Sequence, residues 1–76
     1  MMFGTINPGC EISRETHADW SETLFVVAGT ATCSVGDGAT PTRVATRQGW
    51  HVRKGHPHVV RNEEATALEF IILFGV

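Results

Sequence analysis

The sequence predicts an all-β protein with a single small domain, residues 1–76. Three observations favour this class: glycines recur at intervals, the segments between them are rich in valine, threonine, isoleucine and phenylalanine, and no window sustains a helical period. A chain of 76 residues is one domain at most and buries a modest core. The dividing glycines are Gly4, Gly9, Gly29, Gly36, Gly38, Gly49, Gly55 and Gly75.

Eight short strands are predicted between these breaks. Their approximate ranges are 3–7, 10–17, 22–28, 30–36, 41–47, 50–53, 58–61 and 66–74. The letters GDG at 36–38 indicate a hairpin turn, because glycine and aspartate tolerate positive φ, and NPG at 7–9 and NEEA at 62–65 indicate further turns. The stretch DWSETLFVVAG comes closest to a helical pattern, but its β-branched and aromatic residues and its closing glycine favour a strand.

The strands at 22–28 and 66–74 are apolar on both faces. Successive side chains of a strand point to opposite faces, and both alternating sets are apolar here apart from Glu22, Glu69 and two threonines. A small two-layer protein has only one interior, so the second apolar face needs a cover. We expect a homodimer whose interface is formed by strand faces. The alternative is that these strands lie centrally and a loop covers them.

Composition and charge argue against several classes of protein. The net charge of −2 and the scattered basic residues are unlike a nucleic-acid-binding surface, and Arg53 with Lys54 is interpreted as the exposed end of a strand. No apolar run predicts a membrane span, and no signal peptide is recognised. Cys10 and Cys33 are too few for a disulfide scaffold. We expect reduced thiols in a cytoplasmic protein, with one bridge as the alternative.

Carboxylates and imidazoles gather at two places along the chain. In RETHADWSE, Glu15 and His17 share one face of a strand, and Glu22 opens the next segment. Downstream, RKGHPHVVRN places His58 four residues before Asn62. Imidazole nitrogens and carboxylate oxygens that adjacent strands bring to one interior can bind a divalent metal. The first cluster is therefore either a solvated charged loop or half of a metal site.

The chain resembles a cupin, a double-stranded β-helix barrel of the jelly-roll type, over residues 4–75. The first cupin motif has a glycine, two histidines one residue apart, a glutamate and a glycine, and the second has proline, glycine, histidine and asparagine. The matching residues are Gly9, His17, Glu22 and Gly29 in the first motif and Gly55, His58 and Asn62 in the second. Glu15 replaces the first histidine, and Arg53 replaces the proline. The strands that usually precede the first motif are almost absent, which implies a minimal cupin or a barrel completed by its partner.

The resemblance implies one divalent metal ion held at the positions of Glu15, His17, Glu22 and His58. Without Glu15, two histidines and a carboxylate can leave open positions on Fe(II). If Glu15 binds as well, the second carboxylate lowers the Lewis acidity of the ion and favours Mn²⁺ or Fe²⁺ over Cu²⁺, while Ni²⁺ and Zn²⁺ stay open. If Glu15 does not bind, it is either a catalytic general base near the site or a solvated side chain.

The function implied by the resemblance is that of a small metal-binding enzyme. Its substrate would be a small oxygen-rich metabolite chelated to the metal, and dioxygenase, isomerase and lyase chemistry, including decarboxylation, are all compatible with it. One alternative is a non-catalytic module that binds a small ligand such as a carboxylate or a sugar. Another is a degenerate, metal-free cupin that serves assembly.

Other polar and aromatic residues receive structural interpretations. We expect Asn62 to hold a turn through side-chain to backbone hydrogen bonds and Cys33 to pack as a small apolar residue. Trp50 is expected in the core or an interface. His51 is expected to be structural, and His56 to be exposed at the mouth of the barrel.

Overall fold

The computed structural model describes residues 1–15, 20–36 and 40–75, with the backbone alone at 13–15. The described chain contains eight strands and no helix, which confirms the all-β prediction. The strands are β1 (Met2–Ile6), β2 (Glu11–Glu15), β3 (Ser21–Ala28), β4 (Ala31–Val35), β5 (Thr42–Val44), β6 (Gly49–Val52), β7 (His58–Arg61) and β8 (Leu68–Gly75). No helix long and apolar enough to cross a membrane occurs in these ranges.

The strands form two antiparallel sheets of four strands each. The first sheet has the order β1-β8-β3-β6, and the second has the order β2-β7-β4-β5. Most neighbouring strands come from distant parts of the chain: β1 pairs with β8 and β2 with β7, and only β4 and β5 are consecutive among the described strands. This is the strand arrangement of a jelly-roll barrel, and it confirms the predicted architecture.

Inward-facing residues of both sheets fill the interior. On β3 and β8 the buried positions alternate with half-buried or exposed ones, as the two-residue period of a strand requires. The buried apolar core is formed by Ile6, Leu24, Val26, Ala31, Cys33, Val44, Val60, Leu68, Phe70 and Ile72. The core therefore lies between the sheets.

The outer face of the first sheet is apolar and exposed. Phe3 on β1 lies opposite Ile71 on β8, which in turn lies opposite Phe25 on β3. Phe3, Phe25, Val27 and Leu73 keep between 39% and 59% of their surface exposed. Both faces of these strands are thus apolar, as predicted, and no loop within the described part of the chain buries the outer one.

The strand predicted at 41–47 is shorter in the structure and ends at Val44. Residues 45–48 form a turn, in which the backbone N–H of Gln48 donates to the carbonyl of Ala45 at 3.0 Å. The side-chain oxygen of Gln48 accepts the N–H of Ala45, also at 3.0 Å. Arg47 has φ 71°, a left-handed conformation that few non-glycine residues adopt. The side chain of Gln48 therefore takes up the backbone N–H of Ala45, which a longer strand would use for pairing.

Asn62 links three backbone segments at one end of the barrel. Its side-chain amide nitrogen donates to the carbonyls of Ile6 at 2.9 Å and Thr66 at 2.8 Å. Its side-chain oxygen accepts the backbone N–H of Glu64 at 3.0 Å. The residue is 1% exposed, so these bonds satisfy a fully buried amide. The predicted turn-holding role of Asn62 is confirmed.

Candidate functional site

A buried ion pair joins the two sheets inside the barrel. Glu22 lies on β3 of the first sheet, and His58 begins β7 of the second. The Nε2 atom of His58 lies 2.6 Å from Oε2 of Glu22, and the two side chains are 5% and 7% exposed. Both side chains point inward because they fall in phase with the buried residues of their strands. The structure thus brings two of the predicted metal ligands into contact.

The orientation of the His58 ring is set by groups that the sequence did not reveal. Its Nδ1 atom lies 3.2 Å from the carbonyl oxygen of His56, and the ring meets Trp50 edge to face at 6.3 Å between centroids. Since a carbonyl oxygen only accepts, Nδ1 carries a hydrogen and Nε2 faces Glu22. A backbone carbonyl leaves no signal in the sequence that could predict this bond.

The pair faces a small, largely apolar cavity of about 180 Å³. Its apolar wall is formed by Met2, Ile12, Val60, Ile72 and Phe74. Trp20 packs edge to face on Phe74 at 6.1 Å, and both rings are partly exposed. Small-molecule sites usually have volumes of about 300 to 1,000 Å³. The cavity therefore suits only a compact ligand, and its polar contacts include Glu22 and His58.

The other two predicted ligands are only partly covered by the structure. The backbone of Glu15 pairs with that of His58 across β2 and β7, next to an irregularity in register that begins at Ile12. The side chain of Glu15 and the whole of His17 lie outside the described residues. Within the described ranges, no group of three metal-binding side chains comes together. The four-residue ligand set and the catalytic role of Glu15 stay predictions.

Cys33 belongs to the core beside this site. Burial, together with the smaller effect of the negative charge of Glu22, raises the pKa of the Cys33 thiol to about 12. The thiol therefore keeps its proton at neutral pH and packs as a small apolar residue, as predicted. Cys10 is exposed, and both cysteines are free.

The fold is similar to those of several solved structures. A Bacillus halodurans protein gives a TM-score of 0.91 at 21% identity and is matched over 96% of this chain and 58% of that one. A predicted oxalate decarboxylase from Thermotoga maritima gives 0.88 at 16%, over 97% and 63%. Drosophila melanogaster CENP-C bound to CAL1 gives 0.84 at 12%, over 96% and 59%. The chain thus spans about three fifths of each of these proteins.

At these identities the likeness shows the fold alone. No protein with a curated function matches the chain. The model of the cupin domain family matches residues 2–74, which is nearly the whole chain. The chain therefore belongs to the cupin family.

Proposed function

We propose that this domain binds a small oxygen-rich metabolite at a divalent metal ion held by Glu22, His58, His17 and Glu15. The observation that supports the proposal is the buried contact of 2.6 Å between Glu22 and His58 at the wall of an apolar cavity. Buried charged side chains are costly unless they are paired or bind a metal. Their position inside a cavity, rather than within the packed core, favours a role in binding.

The chemistry of the pair fits a divalent ion. Carboxylate oxygen and imidazole nitrogen are ligands for Fe²⁺, Mn²⁺, Ni²⁺ and Zn²⁺. The hydrogen bond from Nδ1 of His58 to the carbonyl of His56 is of the kind that fixes the tautomer of a metal-binding histidine. A bound metal ion would be held by Nε2 of His58 and the carboxylate of Glu22, because metal ligands bind in their deprotonated form.

The surrounding residues limit the ligands that the site can take. Ile12, Val60 and Ile72 line the cavity with apolar surface, and the volume of about 180 Å³ restricts the site to a compact molecule. A bound metal would supply Lewis acidity to a chelating oxygen ligand. Glu15 is proposed as a further ligand or as the general base. Dioxygenase, isomerase and lyase chemistry all stay within the proposal, and the Thermotoga maritima neighbour, a predicted oxalate decarboxylase, supports a small carboxylate as ligand.

A second candidate is a metal-free module that serves binding or assembly. The observation that favours it is that Glu22 and His58 satisfy each other directly. One structural neighbour, Drosophila melanogaster CENP-C, is bound to another protein, CAL1. In this reading the buried pair stabilises the barrel, and the outer surfaces perform the function.

Metal content of the purified protein separates these two candidates. The protein is prepared without chelators or metal-affinity resin, and its Mn, Fe, Ni, Cu and Zn are measured per chain. We expect about one ion per chain, lost in His58→Gln and retained in the matched control His56→Gln, whose side chain is exposed. A metal-free wild-type protein that also fails to bind added Mn²⁺, Fe²⁺, Ni²⁺ or Zn²⁺ would support the second candidate. If metal is bound, oxygen consumption with small acids and diketones tests the dioxygenase branch.

We also propose that the domain forms a homodimer through the outer face of its first sheet. Phe3, Phe25, Val27 and Leu73 expose apolar surface there, and an isologous contact would cover this face on both copies with one interface. Light scattering is expected to give the mass of a dimer for the wild-type protein and of a monomer for Leu73→Lys. A wild-type monomer at micromolar concentration would contradict the proposal.

A cytoplasmic location is proposed from the two free cysteines. Free thiols persist in reducing compartments. Fractionation of the source cells tests this, and recovery of the protein outside the cytoplasm would contradict it.

A further inference from the structure

A cationic cleft lies on the outside of the barrel, around the turn that joins β6 to β7. We propose that this cleft binds the dianionic group of a small molecule, such as a phosphate or a pair of carboxylates. The cleft has a volume of about 390 Å³ and is lined by Ser21, His51, Arg53, Lys54 and His56. Among the described residues, this lining contains two permanent positive charges, two imidazoles and one hydroxyl, without a carboxylate.

The turn places its basic residues in a defined arrangement. The backbone N–H of His56 donates to the carbonyl of Arg53 at 3.3 Å, and Gly55 has φ +81°. These features are those of a type II turn, which needs a positive φ at its third position. Arg53 and His56 therefore stand at the two ends of a closed turn, with Lys54 at its first corner. An ordered turn loses less conformational entropy than a flexible loop when a ligand binds.

The described residues of the chain do not neutralise the positive charges of this cleft. Arg43 and Arg61, elsewhere on the surface, each pair with a glutamate at 3.2 Å. Arg53 and Lys54 form no ion pair within the described part of the chain. The whole chain has a net charge of −2, so this local excess of positive charge opposes the overall balance. Unpaired cations in a concave surface raise the local positive potential and attract anions.

Neutral donors complete the set of contacts that a dianion needs. The Nδ1 atom of His51 is hydrogen-bonded to the hydroxyl of Thr23 at 2.8 Å. When Thr23 donates, the neutral ring carries its hydrogen on Nε2 and can donate to a ligand. Ser21 offers a hydroxyl at the other side of the cleft. Phosphate and paired carboxylates have enough oxygens to accept several charge-assisted bonds at once.

The cleft also lies close to the buried pair. An adjoining depression of about 310 Å³ shares His51, Arg53 and His56 and is lined by Val35 and Val52 as well. Val52 is paired with Glu22 across β3 and β6, and Val35 is paired with His58 across β4 and β7. Paired strands lie about 5 Å apart. The anion would therefore bind about one strand spacing away from Glu22 and His58. It would contact different residues, so its binding would not require a metal ion in the interior site.

Nuclear magnetic resonance with inorganic phosphate tests the inference. The protein is passed over a chelating resin, and amide shifts are followed during phosphate addition, with sodium chloride at matched ionic strength as reference. We expect saturable shifts confined to Ser21 and residues 51–56. Arg53→Gln is expected to weaken phosphate binding about fivefold, as the loss of one exposed ion pair predicts. Arg43→Gln removes the same charge elsewhere and should leave the affinity unchanged.

Two further arms keep the test decisive. If Arg53→Gln disturbs the amide spectrum of the barrel, Lys54→Gln is measured in its place. In a separate titration, malonate replaces phosphate as a dicarboxylate probe. Saturable binding of either anion at residues 51–56 supports the inference. Equal shifts with chloride, shifts centred on Met2 and Ile12 in the cavity, or equal weakening by Arg43→Gln and Arg53→Gln would overturn it. A failure here leaves the metal measurement untouched, because the titration is done on metal-stripped protein.

Discussion

Replacing Glu22 and His58 separately and together measures how strongly the buried pair is coupled. The two residues are 6% and 5% exposed, so neither readily regains water when its partner is removed. Removal of one member of a buried ion pair costs about 3 to 5 kcal/mol. We expect His58→Leu to lower the free energy of unfolding by this amount, because the carboxylate of Glu22 stays buried. A domain of 76 residues has a total stability of about 4 to 11 kcal/mol, so this substitution removes a large part of it.

Substitution of Glu22 alone and substitution of both residues are expected to lower the free energy of unfolding by less. Glu22→Leu leaves an imidazole that can become neutral, and the cost falls to about 1 to 3 kcal/mol. The double variant should lie within about 1 kcal/mol of the wild type, because apolar residues of similar volume often replace a buried pair without loss. The expected coupling between Glu22 and His58 is therefore about 3 kcal/mol or more.

An exposed ion pair in the same protein provides the control. Glu11 and Arg61 lie 3.2 Å apart, and their side chains are 46% and 51% exposed. Their coupling should be below about 1 kcal/mol. Both cycles are measured by urea unfolding at pH 7 on metal-stripped protein. The slope of the unfolding free energy against urea concentration should be the same in all variants. The reasoning is refuted if the Glu22 and His58 variants prove additive, or if their coupling is no larger than that of the control.

Three further predictions concern single positions. Gly29→Ala should lower the melting temperature more than Gly36→Ala. Both glycines have positive φ, but a Cβ at Gly29 would lie 3.0 Å from the carbonyl oxygen of Ala67. Equal melting temperatures of the two variants would contradict this. Thr32→Val should raise the free energy of unfolding by about 1 kcal/mol, because the buried hydroxyl of Thr32 has no hydrogen-bond partner in the described chain; a loss of stability in urea would argue against it. The fold raises the pKa of Cys33 from 9.0 to about 12. The stability that depends on the protonated thiol is therefore fully present below the lower value and is lost as pH rises towards the higher one. Cys33→Val should therefore flatten the alkaline loss of stability, and alkylation at pH 9 followed by mass spectrometry should label Cys10 alone; rapid labelling of Cys33 in the native protein would contradict the shift.

The strands and the inward position of the key residues were open to prediction because they depend on local patterns. The alternation along 22–28 identified both faces of β3, and the spacing from Gly55 to His58 and Asn62 identified the second motif. The turn at 45–48 was missed because the side chain of Gln48 accepts a hydrogen bond from the backbone of Ala45. Strand propensity does not take such a bond into account. The cationic cleft was also missed. Arg53 and Lys54 were correctly expected to be exposed, but the approach of His51 to the same cleft depends on how β6 pairs with β3.

The sequence by itself determined the approximate positions of the strands, the alternation of their side chains and, through the spacing of two motifs, the membership of this chain in the cupin family. These properties are set by neighbours along the chain and by the two-residue period of a strand. Only the tertiary structure decided that Glu22 and His58, from different sheets, meet at 2.6 Å, and that Trp50 and a backbone carbonyl orient the imidazole. Such contacts depend on strand register and on the packing of one sheet against the other. No short stretch of sequence specifies either of these.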